Sequence, residues 1–90
     1  MNNLSVVLHL YNRQEQRVAD IVLNGYNISA GGPLGSRGAM RSFKVIEGDL
    51  WDQWHAQANL VLRHESGQAS DVRIAALPVD DESFGLIEFL

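Results

Sequence analysis

Three His residues, eleven Asp and Glu residues and no Cys bound the chemistry open to this 90-residue chain. Without Cys there is no thiol nucleophile, no thiolate-bound zinc and no disulfide framework. His9, His55 and His64 include no pair at i, i+2 or i, i+4 spacing, so no single strand or helix offers two imidazoles to a metal ion. A His and carboxylate site gathered from distant segments is the one transition-metal arrangement left open. Asp80, Asp81 and Glu82 stand in a row and, with Asp49 or Asp52, could supply oxygen ligands to calcium. They lack the alternating Asp/Asn spacing and central Gly of an EF-hand loop, so a solvated turn is the simpler expectation. The same carboxylates with a His are the acid–base candidates for a minimal hydrolase, but nothing in the sequence sets two of them across a cleft. No catalytic motif is present, and the chain reads as a non-enzyme without a cofactor.

Three features suit binding better than catalysis. Trp51 lies four residues before His55, and an outward Trp beside an imidazole and Tyr26 or Tyr11 can stack a sugar ring or anchor a protein interface. Gly31, Gly32, Gly35 and Gly38 precede or flank Arg37, with Arg41 beyond; successive backbone N–H groups in such a loop can face an anion. The spacing and the Lys of a phosphate-binding P-loop are absent, so anion binding here competes with plain connection. Arg63 and Arg73 form the third feature. If the segments bearing them pair with Leu62 opposite Ile74, the two guanidinium groups face each other on the outer surface. Like charges so placed need a carboxylate between them, either Glu88 or a partner's acidic group.

The segments that must position these residues show the two-residue period of strands. Leu8 and Leu10 alternate with His9 and Tyr11. Residues 18–28 place Asn24-Gly25 between apolar runs, a hairpin signal; a helix over residues 13–23, capped by Asn12, is the rival. The β-branched Val18, Ile21 and Val22 favour the strand. Residues 30–39 form a Gly-rich loop expected to be flexible. Residues 40–46 alternate again, with Phe43 and Val45 against Ser42 and Lys44. From residue 50 to residue 63 the even positions are apolar apart from Asp52, and the odd ones are mostly polar, so even side chains should point inward. A short helix over residues 49–58 also works, because Leu50, Trp54 and Ala58 then share one stripe. Residues 72–79 read as the return strand and residues 85–90 as the last.

This succession predicts a single mainly β domain spanning residues 1–90, a small antiparallel β-sandwich or barrel of about six strands. The alternative is α+β, with helices at residues 13–23 and 49–58 on one face of an antiparallel sheet. The hydrophobic fraction, 46% against 20% charged, excludes a disordered chain. A net charge of −4 opposes nucleic acid and anionic membranes as partners. The N-terminal apolar run is too short to span a bilayer, and a cytoplasmic protein is expected. The leading functional expectation is a small non-catalytic interaction or assembly module. It would self-associate, or hold another protein, through the edge of residues 40–46 or 85–90 or through an outer sheet face. The alternative is a small-ligand or glycan-binding domain using Trp51, His55 and the Gly-rich loop.

Overall fold

The computed structural model describes residues 6–24, 33–80 and 82–90. Six strands and one short helix follow in order: β1 (Val7–Tyr11), β2 (Arg17–Leu23), β3 (Met40–Gly48), α1 (Trp51–His55), β4 (Leu60–Arg63), β5 (Ala69–Ala76) and β6 (Gly85–Phe89). The strands close into a barrel in the order β1-β2-β3-β6-β5-β4, and every neighbouring pair is antiparallel. The chain is therefore mainly β, as the alternation predicts. Strand β6 returns to lie beside β3 after the β4–β5–β6 meander, which makes a Greek-key connection.

Alternation decides which side chains fill the barrel. Leu8 and Leu10 of β1, Ala19, Ile21 and Leu23 of β2, and Phe43 of β3 point inward and are buried. They meet Leu60 and Leu62 of β4, Val72 and Ile74 of β5, and Ile87 and Phe89 of β6 in one core. Thus residues 60 and 62 lie inside, while Val61 and Arg63 are only half-buried. Two buried residues from outside the strands join the same core. Leu34, in the loop before β3, and Leu50, just before α1, flank opposite ends of β3, so each closes one end of the barrel. The described half of the Gly-rich loop is tied down: the Leu34 amide donates to Ser70 Oγ at 2.9 Å and the Gly38 amide donates to the Phe89 carbonyl at 2.7 Å.

Two short turns set the registers of the β1–β2 and β4–β5 hairpins. In β1–β2, the Asn12 amide donates to the Gln16 carbonyl, while Asn12 Oδ1 accepts the amides of Gln14 and Gln16 at 2.9 Å. Glu15 takes the left-handed conformation, φ 65°. In β4–β5, the His64 amide donates to the Gln68 carbonyl at 2.9 Å and Gly67 takes the same position, φ 96°. Both are three-residue loops with a left-handed third residue. A single Asn side chain can organise such a turn because it mimics a backbone carbonyl.

Several expectations need correction. Residues 17–23 are a strand, so the helix over residues 13–23 does not form; β1 and β3 hold its two edges. The hairpin arm beyond Asn24-Gly25, with Tyr26, lies outside the described residues, as do Gly31, Gly32 and Asp81. Residues 51–55 are helical, and strand β4 begins only at Leu60. The register of β4 on β5 also differs. Leu60 pairs with Val72 and Leu62 with Ser70, so Leu62 is not opposite Ile74, and Arg63 faces Ala69 rather than Arg73. Matching inward faces permits any shift by an even number of residues. The turn centred on residues 65–67 selects the tighter one.

Gly67 supplies a clean test of that turn. A Cβ built there meets nothing within 4 Å, so the cost of Gly67→Ala is backbone conformation alone. Thermal denaturation of Gly67→Ala should show a loss of about 1 kcal/mol, which for this size lowers Tm by roughly 5 °C. An unchanged Tm would show that the turn is not left-handed in solution.

Candidate functional site

Barrel closure leaves several strand ends without a neighbouring strand among the described residues, and the one on β3 borders a groove. Strand β6 pairs with β3 only from Met40 to Phe43, so residues 44–48 run past its end. On their other side these residues remain paired with β2, through Gly48 opposite Ala19 and Val45 opposite Ile21. Ile46 is an extra residue in that ladder, a bulge between Val45 and Glu47. Gly48 then turns the chain out of the sheet with φ 97°; a Cβ there would lie 2.4 Å from the Val18 carbonyl oxygen, so only Gly fits. Among the described residues no strand covers residues 44–48 on the β6 side.

Beside this edge lies a groove of about 470 Å³, walled by β3, by the start of α1 and by the segment that leads from β5 to β6. Its apolar lining is exposed to an unusual degree for so small a protein: Ile46 54%, Trp51 53% and Val79 88%. Phe84 lies exposed at the same end, with the Lys44 ammonium 4.9 Å from its ring centre. The groove also carries Glu47, Asp49 and Asp80.

Helix α1 fixes the position of Trp51. The Trp54 amide donates to the Leu50 carbonyl and the Ala56 amide to that of Asp52, while Asp49 Oδ1 accepts the Trp51 amide at 2.9 Å. Gln57, with φ 53°, ends the turn and donates its side-chain amide to the Trp54 carbonyl at 2.8 Å. Leu50 is buried and Trp54 packs partly on the core, so Trp51 is left facing outward. His55 stacks on Trp51, 6.0 Å between ring centres and 20° between planes, and Trp54 tilts against Trp51 at 5.2 Å. The two residues expected to bind together, Trp51 and His55, therefore do meet, as neighbours on one turn of helix rather than on one face of a strand.

The other expected site residues lie elsewhere. Arg63 Nη2 reaches both oxygens of Glu15, at 2.7 and 2.9 Å, and its guanidinium sits 4.4 Å from the Tyr11 ring centre. Arg73 pairs with Glu88 at 2.8 Å, across β5 and β6. Each guanidinium has its own internal carboxylate, so the anticipated like-charge contact does not exist. Arg37 is exposed in the turn before β3, and Arg41 is exposed on β3 opposite Ile87, at the other end of the barrel from Trp51. The amides of Leu34, Gly38 and Ala39 are all spent on internal acceptors, which removes them as donors to an anion.

Several other polar groups form ordinary pairs. His9 Nδ1 lies 2.7 Å from Asp20 Oδ1 on the outside of β1 and β2, and Arg17 lies 3.8 Å from the same oxygen. His64 contacts Ser66 within its own turn. Among the described residues no group of three or more His, Asp or Glu side chains is arranged to hold a metal ion, and no helix is long and apolar enough to cross a membrane. Asp80 is organised by its own loop. Its Oδ1 accepts the Ser83 hydroxyl at 2.8 Å and the Glu82 amide at 2.9 Å. These bonds, the Ser83 hydroxyl first, hold its carboxyl below the ordinary aspartate range.

Ile46, Val79 and Phe84 were not singled out by sequence reasoning. One signal for Ile46 is present: it falls on the same parity as Ser42 and Lys44, an apolar residue on the wet side of its strand. Comparison with protein-family models, with curated proteins and with solved structures finds no match to this chain.

Two measurements check this geometry. Trp54→Ala should lose about 2–3 kcal/mol of stability because its ring packs on the core, whereas Trp51→Ala should change it by less than about 0.5 kcal/mol. Equal losses would mean that Trp51 is not free. In an NMR titration, Ser83→Ala should raise the Asp80 carboxyl midpoint towards the ordinary value; no movement would contradict the loop geometry.

Proposed function

We propose that the chain is a small non-catalytic interaction module that takes an extended segment of a partner protein along the open edge of β3. The observation that carries this reading is the coincidence of an unpaired strand edge, residues 44–48, with exposed Ile46, Trp51 and Val79 around one groove. An added strand gains main-chain hydrogen bonds from the edge, while alternate side chains enter the groove and give selectivity. A second copy of this chain is one version of that partner. Gly85–Phe89 is excluded from such pairing because β3 and β5 occupy both its edges. The bulge at Ile46 limits how long a pairing can run, which suits a short segment.

A second reading draws on the stacked Trp51 and His55 rings. A flat, exposed aromatic surface beside polar groups is suited to a sugar face, so glycan or small-ligand binding is the alternative function. Trp fluorescence distinguishes it cheaply: a sugar panel at about 10 mM should shift emission in the native protein and not in Trp51→Ala.

The main reading is tested by selecting displayed random peptides on the folded protein and mapping the winners by amide chemical shifts. Selected peptides should move the amides of residues 44–48 and slow their hydrogen exchange. Methylating alternate backbone nitrogens of a winner should abolish binding. Winners that map to another face, or that tolerate methylation on every nitrogen, would overturn strand docking. Sedimentation at high protein concentration decides whether a second copy fills the edge.

A further inference from the structure

We infer that the segment docked on β3 is basic, with cationic side chains alternating with apolar ones; this rests on the strand-docking reading above. The groove carries three carboxylates, Glu47, Asp49 and Asp80, against one ammonium, Lys44. Lys44 is itself drawn over the Phe84 ring and lies near Asp80, so its charge is already engaged. Asp80 is a carboxylate at neutral pH, and the Ser83 hydroxyl and the Glu82 amide hold its Oδ1 in place. The site thus presents negative charge around an apolar floor.

Alternation fits both parts of that surface. A strand laid on residues 44–48 spans about five residues, or roughly 17 Å. Its side chains point to opposite faces in turn. One set would meet Ile46, Trp51 and Val79, which favour aliphatic or aromatic groups. A guanidinium or ammonium in the other set would sit among the carboxylates, and the exposed Trp51 ring offers a cation a second attractive surface. The chain's net charge of −4 adds long-range attraction for a basic partner. An acidic segment would meet repulsion at each of these points.

The experiment uses three nine-residue peptides, acetylated and amidated, in which Val alternates with Arg and Lys, with Ser and Gln, or with Glu and Asp. Binding is read by Trp fluorescence and by amide chemical shifts of the intact chain. The basic peptide should bind at least tenfold more tightly than the neutral one, the acidic one should not bind, and raising salt from about 0.05 to 0.5 M should remove most of that advantage. Combining Glu47→Gln with Asp80→Asn should remove most of the basic peptide's advantage over the neutral one with Tm unchanged. Arg63→Ala, far from the groove, should alter nothing. Neutral or acidic peptides binding as well as the basic one would sink the charge inference and leave strand docking standing. Failure of all three to bind below about 1 mM, or shifts confined to another face, would sink both.

Discussion

A six-stranded sheet can close on itself only if every strand turns one row of side chains inward and finds a hydrogen-bonding neighbour at each edge. Here the closing seams are β1 on β4 and β3 on β6. They bring together strands from opposite halves of the chain, and they exclude water from the row that runs from Leu8 to Phe89. Leu, Ile and Phe side chains make up most of the described core inside the barrel. Leu34 and Leu50 finish the ends, so the interior is spent on stability. The proposed function draws on the outer features instead.

Much of this architecture was legible in the sequence, and the failures have identifiable causes. The inward parity of Leu8, Leu10, Leu60 and Leu62 followed directly from a period of two, because a side chain's face depends only on its own strand. Pairing register depends on two strands and the turn between them. The pattern alone could not separate Leu62 opposite Ser70 from Leu62 opposite Ile74, since both keep apolar side chains inside. Residues 49–58 carried helical and strand periods at once. Closure favoured the helix, because a barrel end needs a cover and one turn places Leu50 and Trp54 over it. Over residues 17–23 the β-branched side chains pointed the right way, against a capping pattern at Asn12 that serves a hairpin turn instead.

The candidate site was legible only in part. Trp51 and His55 stood out by type and spacing, and they do stack. Their reason for being outward was misread: strand alternation put Trp51 outside, whereas it is the helical turn, with Leu50 and Trp54 facing the core, that exposes it. Arg63 and Arg73 illustrate how an inference inherits its register. Once the hairpin shifts, each finds a carboxylate, Glu15 or Glu88, and the apparent conflict vanishes. Residues 40–46 stood out as an edge, but which part of β3 stays open could not be read from sequence, because it arises from where β6 stops. That boundary belongs to the closed sheet, not to either strand's own pattern.

The short reach of β6 has a consequence for higher assembly. Growth of a fibre by lateral strand addition requires each unit to offer two vacant edges, one to donate and one to receive. A fully closed barrel offers none, and among the described residues this one departs from closure only over short strand ends, on β1, β3 and β5. A segment docked as proposed on residues 44–48 would lie between β3 and the segment following β5. In the proposed docking, openings this short would admit a segment without offering the long continuous edge that a fibre needs.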